Sequence, residues 1–293
     1  MYAARKAALC YSVGVSNLLS CDELRGLLHD PDLRIIDARH DLVDPEAGRS
    51  AWTEAHLPGA VHLDLTTDLS GPVLEHGGRH PLPTVDAMAA LFGRSGIGPG
   101  TRVVVYDRDT GMFAARVWWM LRYLGHDDVQ VLDGGIAAWQ ALGLPLEQSS
   151  TAPEPRAFVP RPRPEMLATR ADVLSSLGDE TVLLLDARSG ERFRGEVASF
   201  DPLPGHIPGA VNHFYADNLS HGRLRPAAEL RELYRDVASA PAAIAYCGSG
   251  VSAALDLLAI DEAGIRLPRL YVGSWSDWSA HEGAPVETGP SGG

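Results

Sequence analysis

The chain repeats itself once, in order, over nearly its whole length, and this constrains its fold more than any other feature. LRIIDAR from Leu33 to Arg39 returns as VLLLDAR from Val182 to Arg188, and HLPGAV from His56 returns as HIPGAV from His206. VVVYD, ending at Asp107, is answered by AIAYC ending at Cys247, and DGGIAAW ending at Trp139 by VGSWSDW ending at Trp278. Four unrelated patterns recurring in one order at a spacing of about half the chain mark a duplicated domain. A length of 293 residues accommodates two such domains. Each half reads alike: a helix (Cys21 to His29; Ala171 to Leu177), an apolar β-rich run, an HxPGA turn and a further helix. A second apolar run then leads through a glycine-containing loop into a helix at Ala114 to Tyr123 or Ala253 to Ala263. Apolar runs without alternation are strands buried on both faces, so the expected fold is α/β, two tandem domains, each a mainly parallel sheet flanked by helices. The expected domains are 16–147 and 165–288. They are joined by an extended Pro-rich stretch, TAPEPRAFVPRPRP, that resists helix and sheet.

The halves differ in chemistry at one position, where Asp107 in the first corresponds to Cys247 in the second. Only the C-terminal copy can supply a thiolate there, so the N-terminal copy is expected to be catalytically silent. Cys247 follows a buried strand and precedes a helix beginning near Ser252, with Gly248, Ser249, Gly250 and Val251 between. Glycines let consecutive N–H groups converge on one anion, and the helix N-terminus adds partial positive charge. Both lower a thiol pKa and stabilise a thiolate or persulfide. Cys10 and Cys21 have no such loop and read as incidental. Three cysteines without a CxxC pair suggest neither a disulfide framework nor a zinc site and fit a reducing compartment. The N-terminus lacks a signal-peptide core, and a cytoplasmic location is expected. The formal charge of −13 argues against nucleic acid and against an anionic membrane as partners.

With CGSGVSA, the paired HxPGA turns, the DAR strand ends and GSWSDW, the chain resembles the tandem-domain rhodanese family. That resemblance implies sulfur transfer through a Cys247 persulfide. Within the family, a neutral CGSGVS loop is similar to that of 3-mercaptopyruvate sulfurtransferases, whereas a basic loop such as CRKGVT marks thiosulfate users. A small-molecule sulfur donor, 3-mercaptopyruvate, is therefore expected. The acceptor would be cyanide or a thiol, including one on a thioredoxin-like protein. A thiosulfate sulfurtransferase and a noncatalytic sulfur-relay or binding module are the alternatives. A phosphatase of similar fold would need CxxxxxR, and Ala253 stands where that arginine would be.

The resemblance also assigns supporting roles. Ser249 and His80, the latter from RHPLP, would act with Cys247 as the catalytic group, and Arg192 in DARSGERFRG would hold the donor carboxylate. Gly248, Gly250, Val251 and Ser252 would line the binding loop. Arg188 is expected to pair structurally, as Arg39 would in the silent half, Arg194 to be exposed, and His56 and His206 to be structural. Three departures stand out. The second carboxylate-binding arginine of the family is missing from EVASFDPLPGH. Its acidic partner for the histidine falls on Thr66, leaving Asp64 or Asp68 as substitutes. Val272 replaces the acid of DGSW. No metal, nucleotide or organic cofactor motif is present.

Overall fold

The computed structural model describes residues 16–148, 152–197 and 200–290. The N-terminal half runs β1 (Leu18–Leu19), α1 (Cys21–Leu27), β2 (Leu33–Asp37), α2 (Ala47–Glu54), β3 (Val61–His62), α3 (Val85–Arg94), β4 (Arg102–Tyr106), α4 (Met112–Tyr123), β5 (Val129–Leu132) and α5 (Gly135–Ala141). The C-terminal half runs β6 (Leu167–Ala168), α6 (Arg170–Ser176), β7 (Val182–Asp186), α7 (Gly190–Phe193) and β8 (Val211–Asn212). It continues with β9 (Leu219–Ser220), β10 (Arg223–Leu224), α8 (Ala227–Leu233), α9 (Arg235–Ser239), β11 (Ala242–Tyr246), α10 (Ser252–Glu262), β12 (Arg269–Tyr271) and α11 (Ser274–Trp278). Each half holds one five-stranded sheet, in the orders β1-β5-β4-β2-β3 and β6-β12-β11-β7-β8. Every pairing within them is parallel. The sequence-derived α/β duplication is thus the observed architecture, with helix bounds shifted by one or two residues. The hairpin of β9 and β10 belongs to the second half alone.

The same local devices build both halves. Ser20 caps α1 and Thr169 caps α6, each in a reciprocal box with the residue three further on, Glu23 or Asp172. The Tyr106 hydroxyl donates to Asp37 Oδ2 at 2.6 Å and accepts from the Leu57 amide at 3.2 Å, tying the HxPGA turn to the central strands. Tyr246 accepts from the Ile207 amide at 3.1 Å in the second copy. Arg39 and Arg188 chelate Asp37 and Asp186, the structural pairing expected of them. His56 and His206 each bond a backbone carbonyl at 2.7 Å through Nδ1, on Trp52 and Phe193 respectively, so they fasten turns.

One of three buried clusters spans both domains. Ala114, Ala115, Val117 and Trp118 of α4 belong to the same buried cluster as Ala253, Ala254, Leu257 and Leu258 of α10, and the two helices pack on each other. Alanines on both helices permit close approach, and burying such a surface favours association at roughly 25 cal/mol per Å². The Pro-rich connection is extended as expected. From residue 152 it lies against the first domain, with amide bonds from Arg156 to Gly93, Arg161 to Leu124 and Arg163 to Tyr123 at 2.8–2.9 Å. This interdomain packing brings the C-terminal ends of β4 and β11, and the loops after them, to the seam between the domains. Among the described residues no helix is long and apolar enough to cross a membrane.

Candidate active site

Cys247 directly follows β11, the central strand of the second sheet, and is 2% exposed. The Gly250 amide donates to its sulfur at 3.1 Å. Gly250 has φ +75°, and a Cβ there would sit 2.4 Å from the Val272 carbonyl, so this turn requires glycine. Burial pushes the thiol pKa up. The Ser252 hydroxyl and the amides of Ala253, Ser249 and Val251 outweigh it and hold the thiol below its ordinary value. Gly250, Val251 and Ser252 thus contribute backbone shape, an amide and a hydroxyl to one sulfur. Behind the loop, the Trp275 and Ser276 amides at the start of α11 donate to the carbonyls of Cys247 and Gly248, both at 2.9 Å. Ser274, buried and at φ +55°, accepts from the Cys247 amide at 3.1 Å and places its Oγ 4.0 Å from the sulfur. Sequence reasoning passed over Ser274. A signal was available in its alignment with Gly135, which has φ +57°.

The N-terminal domain reaches the same loop. His80 Nδ1 lies 2.8 Å from Ser249 Oγ. Burial, then the nearby charges of Arg116, Arg79 and His40, push His80 down to about 4, so the imidazole is neutral near pH 7. The loop carrying it is docked on α11: the Gly77 amide donates to Asp277 Oδ1 at 2.7 Å and the Arg79 amide to Ser276 Oγ at 3.1 Å. Neither acid considered as a substitute for the missing partner at Thr66 bonds to His80. Asp64 instead pairs with His40 Nδ1 at 3.0 Å and accepts from the Thr66 and Thr67 amides, and Asp68 pairs with Arg94. Among the described residues the relay is therefore a serine–histidine pair without a bonded carboxylate.

Arg116, which the sequence analysis missed, is 2% exposed on α4. It donates to the carbonyls of Gly250 at 3.0 Å and of Leu69 and His80 at 2.9 Å. One guanidinium thus ties the Cys247 loop to the His80 loop. Burial lowers its pKa to about 10, and the negative charge available at Cys247 works the other way. An arginine inside the apolar run MFAARVWWMLRY was the visible signal. Tyr215 is a second residue that sequence reasoning did not single out. Burial raises its phenol, the Cys247 charge adds to this, and Arg192 offsets part of it.

Arg192 extends over the loop: a Cβ on Gly248 would lie 2.9 Å from its Nη2 and 3.3 Å from Nη2 of Arg79. The CGSGVS sequence is neutral, but the site is not. Two guanidinia from distant segments face it: Arg192, expected to hold the donor carboxylate, and Arg79, which the sequence did not single out. Arg188 is committed to Asp186, and Arg194 is partly exposed and paired with Glu196. Cys21 is buried in α1, with its thiol raised first by burial, and Cys10 lies outside the described residues.

Comparison with known families decides the assignment, because the model for the rhodanese-like domain matches twice, at residues 20–142 and 169–281. The chain belongs to the rhodanese family. Among its relatives is a probable 3-mercaptopyruvate sulfurtransferase of Pseudomonas aeruginosa, 43% identical over 94% of this chain and 99% of the other. The human 3-mercaptopyruvate sulfurtransferase is 36% identical over 92% of both chains. A putative thiosulfate sulfurtransferase, SseB, of Mycobacterium tuberculosis is 37% identical over 93% of this chain and 97% of the other. The crystal structure of SseA from Escherichia coli, a 3-mercaptopyruvate sulfotransferase by its description, superposes with a TM-score of 0.80 at 32% identity. It covers 89% of this chain and all of that one. This rhodanese-family protein is accordingly a sulfurtransferase.

Proposed function

We propose that the protein moves sulfur from 3-mercaptopyruvate through a Cys247 persulfide to a thiol or cyanide acceptor. The observation that carries this reading is the Ser249–His80 pair beside the cysteine, 2.8 Å apart with a neutral imidazole. Such a pair suits a donor with a carbonyl, which 3-mercaptopyruvate has and thiosulfate lacks. With the proton on Nδ1, His80 donates to Ser249, and the serine hydrogen is left to bond the donor carbonyl oxygen. The Cys247 thiolate attacks the donor sulfur. The C–S bond breaks as the S–S bond forms, and the electron pair passes into the enolate of pyruvate, whose oxygen the Ser249 hydroxyl stabilises. Protonation at carbon then gives pyruvate. A thiolate acceptor, free or on a thioredoxin-like protein, attacks the outer sulfur and regenerates the Cys247 thiolate. The amides around the sulfur stabilise both anionic states, and Arg192 binds the donor carboxylate.

A thiosulfate reading is favoured by one observation, the two guanidinia above Gly248, which would also suit a dianion. Comparing kcat/KM for the two donors separates them, and the expected result is preference for 3-mercaptopyruvate. A thiosulfate preference of about tenfold or more, equal to ~1.4 kcal/mol in transition-state binding, would overturn the assignment.

A further inference from the structure

Arg79 and Arg192 converge on one carboxylate. Arg79 Nη1 bonds Asp201 Oδ1 and Arg192 Nη2 bonds Asp201 Oδ2 at 2.9 Å, so the acid spans two forks that come from different domains. The Asp201 side chain is 3% exposed, while those of Arg79 and Arg192 are 33% and 25% exposed. Both guanidinia lie directly over the Gly248 backbone, one residue past the reactive cysteine. Arg192 Nε is buried without a hydrogen-bond partner among the described residues, so the cluster keeps an unused donor at the site. Arg79 is positioned by its own backbone, through its amide bond to Ser276. Phe200, beside Asp201, stacks under the Arg79 guanidinium, 5.8 Å from its centre.

We propose that Arg79 is the second arm of the donor-carboxylate site and that Asp201 is its resident occupant, which the donor carboxylate displaces. This rests on the carboxylate-donor reading above. Two guanidinia facing one carboxylate are matched in charge and geometry to exchange it for another. The Asp201 side chain swings out as the donor enters, so net charge at the fork is conserved. The protein therefore competes with its own substrate, and affinity for carboxylate donors is held below what the two arginines could supply. It also follows that donor recognition needs both domains, one arm coming from each.

The test measures KM and kcat for 3-mercaptopyruvate, together with competitive inhibition by pyruvate, in Asp201→Asn, Arg79→Ala and Arg79→Lys. Pyruvate binding to the same variants in a Cys247→Ser background gives a readout free of turnover. Asp201→Asn should lower KM and tighten pyruvate by about 3- to 10-fold, because a neutral amide competes poorly for arginine. Arg79→Ala should raise both by about 10-fold with kcat little changed, and Arg79→Lys should recover part of the loss. A purely structural Asp201–Arg clamp predicts the opposite sign for Asp201→Asn: weaker binding and a lower melting temperature. That result, or unchanged KM and pyruvate binding in Arg79→Ala while the parent enzyme turns over 3-mercaptopyruvate, overturns this inference alone. Failure of the parent enzyme to take sulfur from 3-mercaptopyruvate overturns the donor reading and this inference with it.

Discussion

At the end of β4 the Asp107 carboxylate accepts from the amides of Gly111 and Phe113 at 2.9 Å and of Ala114 at 3.4 Å. At the end of β11 the Cys247 sulfur accepts from Gly250 at 3.1 Å, with the amides of Ser249, Val251 and Ala253 also lowering its pKa. The supports match as well. Ile136 and Ala137 donate to the carbonyls of Asp107 and Arg108 at 3.0 Å, as Trp275 and Ser276 do to Cys247 and Gly248. A cradle of N–H groups is thus a property of the duplicated fold, and the occupant decides its use. In the first half the chain fills the cradle with its own carboxylate, which burial pushes up in pKa while the amides pull it down. In the second half the occupant is a polarizable thiol, and Ser249, His80, Arg79 and Arg192 are gathered around that cradle.

Moving the thiol separates the two cradles. Cys247→Ser should lower transfer on the order of 10⁴-fold or more, since a hydroxyl is far less acidic than a thiol and carries no sulfur. Adding Asp107→Cys to that variant should restore nothing, because the arginines and the Ser249–His80 pair stay at the other cradle. Restored turnover would show that an amide cradle and a thiol suffice. Ser249→Ala should cost about 10- to 100-fold in kcat with 3-mercaptopyruvate and less with thiosulfate.

The pH profile of turnover should follow the Cys247 cradle. With the Cys247 thiolate as the proposed nucleophile, kcat/KM should fall as pH drops through its depressed pKa. Ser252→Ala, which removes a hydrogen bond to the sulfur, should move that fall to higher pH. His80, pushed down to about 4, should add no ionisation of its own near neutrality. The smallest effect on activity is expected in the N-terminal half. Asp107→Ala should destabilise the fold by about 1–3 kcal/mol in denaturant titrations by leaving buried amides unpaired, with kcat/KM nearly unchanged. A large loss of activity there would mean that the first cradle is more than structural.

The fold was legible because it is written twice: buried strands, HxPGA turns and capping residues recur in order, and parallel pairing follows from apolar runs without alternation. Cys247 was legible for a related reason, as a single chemical difference between matched positions. What escaped the sequence depends on tertiary approach. Arg79, some 170 positions from Gly248 in the chain, reaches it only because the His80 loop docks on α11. Arg116 could be seen as an anomaly in an apolar helix, but its carbonyl partners on Gly250, Leu69 and His80 could not. The acid for His80 was sought at Asp64 or Asp68, near Thr66 in the chain, yet in space Asp64 meets the imidazole of His40 and Asp68 meets Arg94.

Whether one of the two equivalent cradles carries the transferred sulfur is read from the intact-protein mass after brief treatment with 3-mercaptopyruvate and removal of the donor. A single added sulfur is expected, mapped to Cys247 by peptide mass, removed by a thiol acceptor or cyanide, and absent from Cys247→Ser. No added sulfur, or one that persists in Cys247→Ser, would contradict it.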